Sequence, residues 1–179
     1  LVCSAPREGA GDDESGTTDL MTDTLVVYSG RSESLVGPII ETFESVTGIE
    51  VKIRYGNTSG IAATILEEGE NTPADVFYAQ DPAGLGAIEH LFRPIPEDIL
   101  NRIEPSFRSA NGTWVGVTGR ARVVAYNTDA INQNELPVDI KGFIDPKWKG
   151  RIGWAPTNGS FQTMITAMRV VWGEEETSR

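Results

Sequence analysis

The chain has a single cysteine, Cys3, and a single histidine, His90. One cysteine cannot close an internal disulfide, and it excludes a four-cysteine metal site. One histidine excludes a histidine-rich metal motif. His90 falls late in a predicted helix beside Leu91 and Phe92, where a surface or helix-dipole role suits it better than catalysis. No run is long and apolar enough to span a bilayer. Positive charge is scarce: 15 Lys and Arg stand against 26 Asp and Glu, for a formal net charge of −11. Such a chain is a poor partner for nucleic acid or an anionic membrane surface. A small ligand is not excluded, because charge inside a site can oppose the net charge. The sequence also lacks a Gly-x-Ser-x-Gly elbow, a P-loop and a solenoid-type repeat. Gly84-Leu85-Gly86 lies inside a predicted helix and is no dinucleotide loop.

What is present is enough for a core. The 179 residues are 39% hydrophobic, a length that suits one domain or a domain plus part of another. Residues 1–23 read as a disordered acidic tether, rich in Gly, Asp, Glu, Ser and Thr with almost nothing to bury. The chain begins at Leu1 rather than Met, which fits removal of an upstream segment. Leu1-Val2-Cys3 is similar to the end of a bacterial lipoprotein signal, which would make Cys3 a lipid anchor; a plain thiol in a tail is the other reading.

After the tether the chain repeats one pattern. Leu25, Val26, Val27 and Tyr28 form an apolar, β-favouring run that stops at Ser29-Gly30. Ser32 and Ser34 are both suitable N-caps for the helix that follows. That helix carries Leu35, Val36, Ile39, Ile40, Phe43 and Val46 at helical spacing and ends at Thr47-Gly48. Residues 49–55 alternate apolar and polar, predicting a half-buried strand. Gly56–Gly60 then opens a helix with Ile61, Ala62, Ile65 and Leu66 on one face, stopped by Gly69. Residues 75–79 predict a third strand, and Asp81-Pro82 marks a helix start. Three strand–loop–helix units in succession predict a parallel α/β sheet. Further on, a short helix is expected near residues 97–103 and another near 137–145. Strands are expected at 114–117, 122–126 and 151–155, a turn at Asn127-Thr128-Asp129, and a helix opening near Ser160 with Phe161, Met164, Ile165, Met168 and Trp172 on one face. A strand-to-helix unit this close to Arg179 suggests a truncated second sheet.

Four loops stand between predicted strands and helices: Ser29, Gly30, Arg31 and Ser32; Gly56, Asn57, Thr58 and Ser59; Gln80 and Asp81; and Thr157, Asn158, Gly159 and Ser160. In open α/β sheets, ligands bind outside the carboxyl ends of the strands. Loops with free N–H groups, hydroxyls and amides at helix N-termini favour an anion or a polar ligand; serving only as caps is the plainer role. Arg31, Arg120 and Arg122 can meet an anion or form ion pairs. Tyr28, Tyr55, Tyr78 and Tyr126 lie at or near strand ends, where packing suits them better than metal ligation. The sequons at Asn57, Asn111 and Asn158 are short enough to be chance.

Several stretches, in order, resemble the ferric-iron-binding proteins of bacterial ABC importers, within the extracellular solute-binding superfamily. They are Val27-Tyr28-Ser29-Gly30-Arg31, residues 43–48, Thr72-Pro73-Ala74-Asp75-Val76-Phe77-Tyr78, residues 119–127, Pro146-Lys147-Trp148-Lys149-Gly150 and Thr157-Asn158-Gly159-Ser160-Phe161. The resemblance implies an α/β, periplasmic-binding-protein-like two-lobe fold. The first lobe would span residues 24–119. Residues 120–179 would supply a hinge strand and the start of a truncated second lobe.

The resemblance also implies a non-enzymatic role: capture of iron(III) with carbonate or phosphate as synergistic anion, and delivery to an ABC transporter permease. The place would be the periplasm or the outer face of the membrane. Asn158, Gly159 and Ser160 match the family's anion-binding turn, with Asp81 neighbouring it from the other lobe. Ser32 stands where some members have a ligating histidine, and Gln80 where they have a ligating glutamate, so Gln80 is the candidate metal contact. The family's main tyrosine ligands would lie beyond Arg179. The alternatives are the same fold with a phosphonate, thiamine or polyamine ligand, or an α/β enzyme acting on a phosphorylated substrate.

Overall fold

The computed structural model describes residues 24–179, so the tether and Cys3 lie outside the described residues. The β-branched and aromatic run at the start forms β1 (Thr24–Ser29), whose last three residues are buried. Ser32 ends the connection to α1 (Glu33–Thr47), and Gly48 closes that helix at φ 74°, in the left-handed region that favours glycine. The alternating stretch forms β2 (Glu50–Tyr55), exposed and half-buried by turns as its period demands. Then come α2 (Thr58–Glu68), β3 (Val76–Tyr78) and α3 (Pro82–Ala87).

The three strands make one parallel sheet in the order β2-β1-β3. Thr24 to Ser29 pair with Glu50 to Tyr55 on one side, and Val27 to Ser29 with Val76 to Tyr78 on the other. Asp75 extends the β1–β3 pairing by a residue: its N–H donates to the Val26 carbonyl at 2.9 Å, and its carboxylate accepts the Val26 N–H at 2.8 Å. The core lies against this sheet and is built from Tyr28, Ile61, Ala62, Ile65, Ala74, Phe77, Leu85 and Ile88. Burying the larger of these side chains stabilises the fold by roughly 1.5–3 kcal/mol each.

The helix faces are narrower than their apolar content predicts. On α1, Val36 is buried and Ile40 and Phe43 are half-buried, one stripe at i, i+4 and i+7. Leu35, Ile39 and Val46 lie on a different stripe and are exposed, as is Leu66 on α2. A helix presents only one stripe to a single sheet face, so the second is left outside.

The chain divides into two compact units, one ending at Thr118 and the other spanning Gly119–Arg179. In the first, the predicted helix near residues 97–103 is the single turn α4 (Glu97–Leu100). The strand expected at 114–117 is reduced to an isolated antiparallel bridge between Arg108 and Val115. In the second unit the strands expected at 122–126 and 151–155 do not form. β-favouring residues make a strand only where a neighbouring chain segment completes the ladder. None does so here among the described residues, and Val123, Val124 and Trp154 remain exposed. The turn at Asn127 does form, with Asn127 Oδ1 accepting the Asp129 N–H at 2.9 Å. Short 3-10 turns follow at Gln133–Glu135, Ile140–Ile144 and Pro146–Trp148, capped by Asn132, Asp139 and Asp145. The unit ends in α5 (Gly159–Trp172) and α6 (Glu174–Thr177). Phe161, Met164, Ile165, Met168 and Trp172 on α5 are half-buried.

Candidate functional site

Parallel strands that end at one level bring their following loops to the same edge of the sheet. In the first unit this joins the three predicted loops through their backbones. The Gly30 N–H donates to the Tyr78 carbonyl at 2.8 Å, and the Gly56 N–H donates to the Ser29 carbonyl at 2.9 Å. Thr58 crosses all three: its hydroxyl donates to the Gly30 carbonyl at 3.4 Å and accepts the Gln80 N–H at 3.1 Å. Thr58 is buried, and Ser29 is fully so. The Ser29 hydroxyl is turned onto its own loop, donating to the Arg31 carbonyl and accepting the Arg31 N–H. Gly30 is required by packing. A Cβ there would run into Thr58 Oγ1 and sit 2.8 Å from Thr58 Cα.

These ties separate framework from reach. Ser29, Gly30 and Thr58 hold the loops together. Asn57 is engaged as the α2 N-cap, accepting the Gly60 N–H at 2.7 Å. Asp81 caps α3 by accepting the Ala83 N–H at 3.1 Å. Ser32 occupies the N-cap position of α1 without a side-chain cap bond; its hydroxyl lies 3.1 Å from that of Ser34 instead. Arg31 and Gln80 are half-buried, and Ser32 and Ser59 are exposed.

The fourth loop belongs to the second unit and forms its own cluster. Asn158 caps α5, its Oδ1 accepting the Phe161 N–H at 3.0 Å and the Ser160 hydroxyl at 2.8 Å. Arg122, rather than Arg120, reaches this turn. Its guanidinium donates to Ser160 Oγ at 2.9 Å and lies 5.5 Å from the Phe161 ring centroid. Trp154 meets Phe161 edge-on at 5.5 Å. Arg120 is exposed. The sequence marks Arg122 only as one of three arginines able to meet an anion; its place 38 residues before Ser160 hides the pairing.

Among the tyrosines of the first unit, Tyr28 serves the fold. Tyr28 is buried, and its hydroxyl donates to Glu68 Oε1 at 3.1 Å. Burial pushes the Tyr55 phenol up, helped by the Glu33 and Glu41 carboxylates, so Tyr55 resists becoming a phenolate. Sequence reasoning missed Glu89. Its Oε1 accepts from the Ser109 hydroxyl, from Thr113 Oγ1 at 2.5 Å and from Asn111 Nδ2 at 3.4 Å. The Ser109 and Thr113 bonds hold its carboxyl below the usual carboxylate range; partial burial opposes them and Asn111 adds to them. No local signal announces this contact, because its partners lie 20 to 24 residues away. Among the described residues no group of three or more His, Cys, Asp or Glu could hold a metal ion.

Comparison with known proteins gives this arrangement its context. Residues 38–178 match the model of the bacterial extracellular solute-binding protein family. The chain is 31% identical over 155 residues to the Fe(3+)-binding periplasmic protein of Serratia marcescens, covering 86% of this chain and 46% of that protein. It is 33% identical over 154 residues to the major ferric iron-binding protein of Neisseria gonorrhoeae, covering 84% and 47%. It thus spans about half the length of the curated relatives it matches. Among solved structures, iron-bound HitA from Pseudomonas aeruginosa superposes with a TM-score of 0.81 at 36% identity, over 87% of this chain and 51% of that one. The Trichodesmium protein IdiA (FutA), in complex with iron and citrate, gives a TM-score of 0.74 at 28% identity, over 86% and 50%. The fold is accordingly a part of the two-lobe periplasmic-binding-protein architecture. With most of its length matched, this chain belongs to the bacterial extracellular solute-binding protein family.

Proposed function

We propose that this chain carries the first lobe, residues 24–119, and the start of the second, residues 120–179, of the substrate-binding component of an ABC importer for iron(III). The observation that carries this reading is the likeness to an iron-bound structure over most of the chain. The loops at the strand ends support it, since they offer polar groups where α/β sheets bind ligands. The protein captures its cargo without chemistry and presents it to a permease at the periplasmic or outer membrane face, with Cys3 as the point of lipid attachment. Ferric ion is hard and prefers anionic oxygen donors. Phenolates from beyond Arg179 supply most of these, with Gln80 as a contact from the first lobe. Arg31, Ser32 and Ser59 border the ligand, and Asp81 neighbours it. Carbonate or phosphate sits on the Asn158–Ser160 turn. There the N–H groups of Gly159 and Ser160 precede the first intrahelical bonds, and the dipole end of α5 favours negative charge.

A second reading keeps the fold and changes the ligand to a phosphonate, thiamine or polyamine. It is favoured by one feature: Ser32 and Gln80 are neutral, and neutral donors are poor ligands for a hard cation. Titration of the full-length protein with ferric citrate separates the two. Iron capture produces a visible tyrosinate–iron charge-transfer band. Absence of that band at saturating iron, with tight binding of one of the other ligands, replaces the first reading by the second.

A further inference from the structure

We infer that Thr58 is a positioning residue, setting the separation between the Ser29–Ser32 loop and Gln80 without itself touching the ligand. This rests on the proposed binding role of those loops. Both partners of its hydroxyl are backbone groups: it donates to the Gly30 carbonyl and accepts the Gln80 N–H. Thr58 as a whole is 8% exposed, so it has little surface left to offer a ligand. Its other face is equally constrained. A Cβ added at Gly84, in α3, would collide with the Thr58 methyl group, while the next nearest atoms, Thr58 Cβ at 3.7 Å and Phe77 Cζ at 3.8 Å, lie at ordinary contact distance. Gly30 leaves the space that Thr58 Oγ1 and Cα occupy.

Thr58 is therefore seated between two glycines, one on each flanking loop–helix unit. Its hydroxyl ties the loop after β1 to the loop after β3, and its methyl rests on α3. A shift of Thr58 moves Gly30 and Gln80 with it. The arrangement also accounts for a glycine in the middle of α3, where alanine is the better helix former.

Four variants of the full-length protein test this. Thr58→Val keeps the shape and removes the hydroxyl, leaving the Gln80 N–H without its acceptor. Thr58→Ser keeps the hydroxyl and removes the methyl. Gly84→Ala drives a methyl group into Thr58, and Gly84→Ala with Thr58→Ser makes room for it again. Ferric citrate titration should show Thr58→Val weakened on the order of tenfold and Thr58→Ser close to wild type. Gly84→Ala should be weakened, and the double variant restored. Amide hydrogen exchange at Gln80, measured without metal, should accelerate in Thr58→Val and stay protected in Thr58→Ser. A merely structural threonine would lower the melting temperature while folded protein kept its affinity. Thr58→Val binding iron like wild type, or a double variant no better than Gly84→Ala, overturns the inference. If wild type itself captures no ferric ion, the proposed function falls. The exchange data then decide on Thr58 alone, and unchanged protection of Gln80 in Thr58→Val refutes the tie.

Discussion

Two single side chains give the sharpest tests. Gln80 is held by its backbone N–H on Thr58, so its side chain can change without releasing the loop. Under the proposed function, Gln80→Glu adds an anionic oxygen that suits a hard cation. Ferric affinity of the full-length protein should rise or stay level in a citrate competition assay. A large loss would mean that Gln80 hydrogen-bonds an anionic ligand directly, which favours the non-metal reading. Glu89 makes a different prediction. Its folded carboxyl titrates below the usual carboxylate range, chiefly through the Ser109 and Thr113 hydroxyls. A depressed pKa contributes stability above the unfolded value, about 4.3 for Glu, and loses it as pH falls through the folded value. Glu89→Gln should therefore lower the melting temperature at pH 7, and the gap from wild type should close as the pH falls below about 4. A gap that stays constant down to about pH 3 would show that the carboxylate charge plays no part in holding Ser109, Asn111 and Thr113.

Among the elements, the start of α5 carries the most. The sequence suggests Asn158 as an amide donor to an anion, yet its amide oxygen is engaged by the Phe161 N–H and the Ser160 hydroxyl. Aspartate caps a helix as well as asparagine does, so Asn158→Asp should leave α5 folded. It adds negative charge beside the turn proposed to hold the anion and removes the Nδ2 donor. Hydrogen bonds to charged groups are worth roughly 1.5–3 kcal/mol. Affinity for carbonate or phosphate should thus fall from about tenfold to several hundredfold, read by calorimetric titration of the full-length pair. Equal binding would leave the turn as a cap only. The end of α1 tests the backbone alone. Gly48 has φ 74°, and a methyl group added there would meet no atom within 4 Å. Gly48→Ala should therefore destabilise by about 1 kcal/mol from the left-handed conformation itself, measured by urea denaturation.

For the molecule as a whole, the 179 residues by themselves are expected to bind ferric ion weakly or not at all, because the proposed phenolate ligands lie beyond Arg179. Equilibrium dialysis against ferric citrate checks this, and tight stoichiometric binding by the isolated chain would refute it. The apolar surfaces point to a second property of the isolated chain. Leu35, Ile39 and Val46 are exposed on α1, and Val123, Trp154, Val170 and Val171 in the second unit, where Trp148 is the one buried hydrophobic residue among those described. Apolar surface of this extent favours association, so sedimentation velocity should show concentration-dependent self-association. A monomer at all concentrations would count against it.

Much of this protein was determined locally. The β1, β2 and β3 runs, the stop at Gly48 and the Asp81-Pro82 helix start are patterns of a few residues, and their physics is complete within a turn or a strand. Their succession was enough to imply a parallel sheet, and the ordered motifs were enough to place the chain in its family. Only the tertiary structure decided the rest. Whether Val123 and Trp154 join a ladder depends on a partner strand that no local pattern supplies. Which stripe of α1 is buried depends on where the sheet lies. Thr58 is one loop hydroxyl among several until folding brings Gly30, Gln80 and Gly84 around it, and Glu89 carries no local mark until Ser109 and Thr113 arrive from 20 and 24 residues away. Periodicity and capping are written between neighbours in sequence; hydrogen-bond ties and packing are made between neighbours in space.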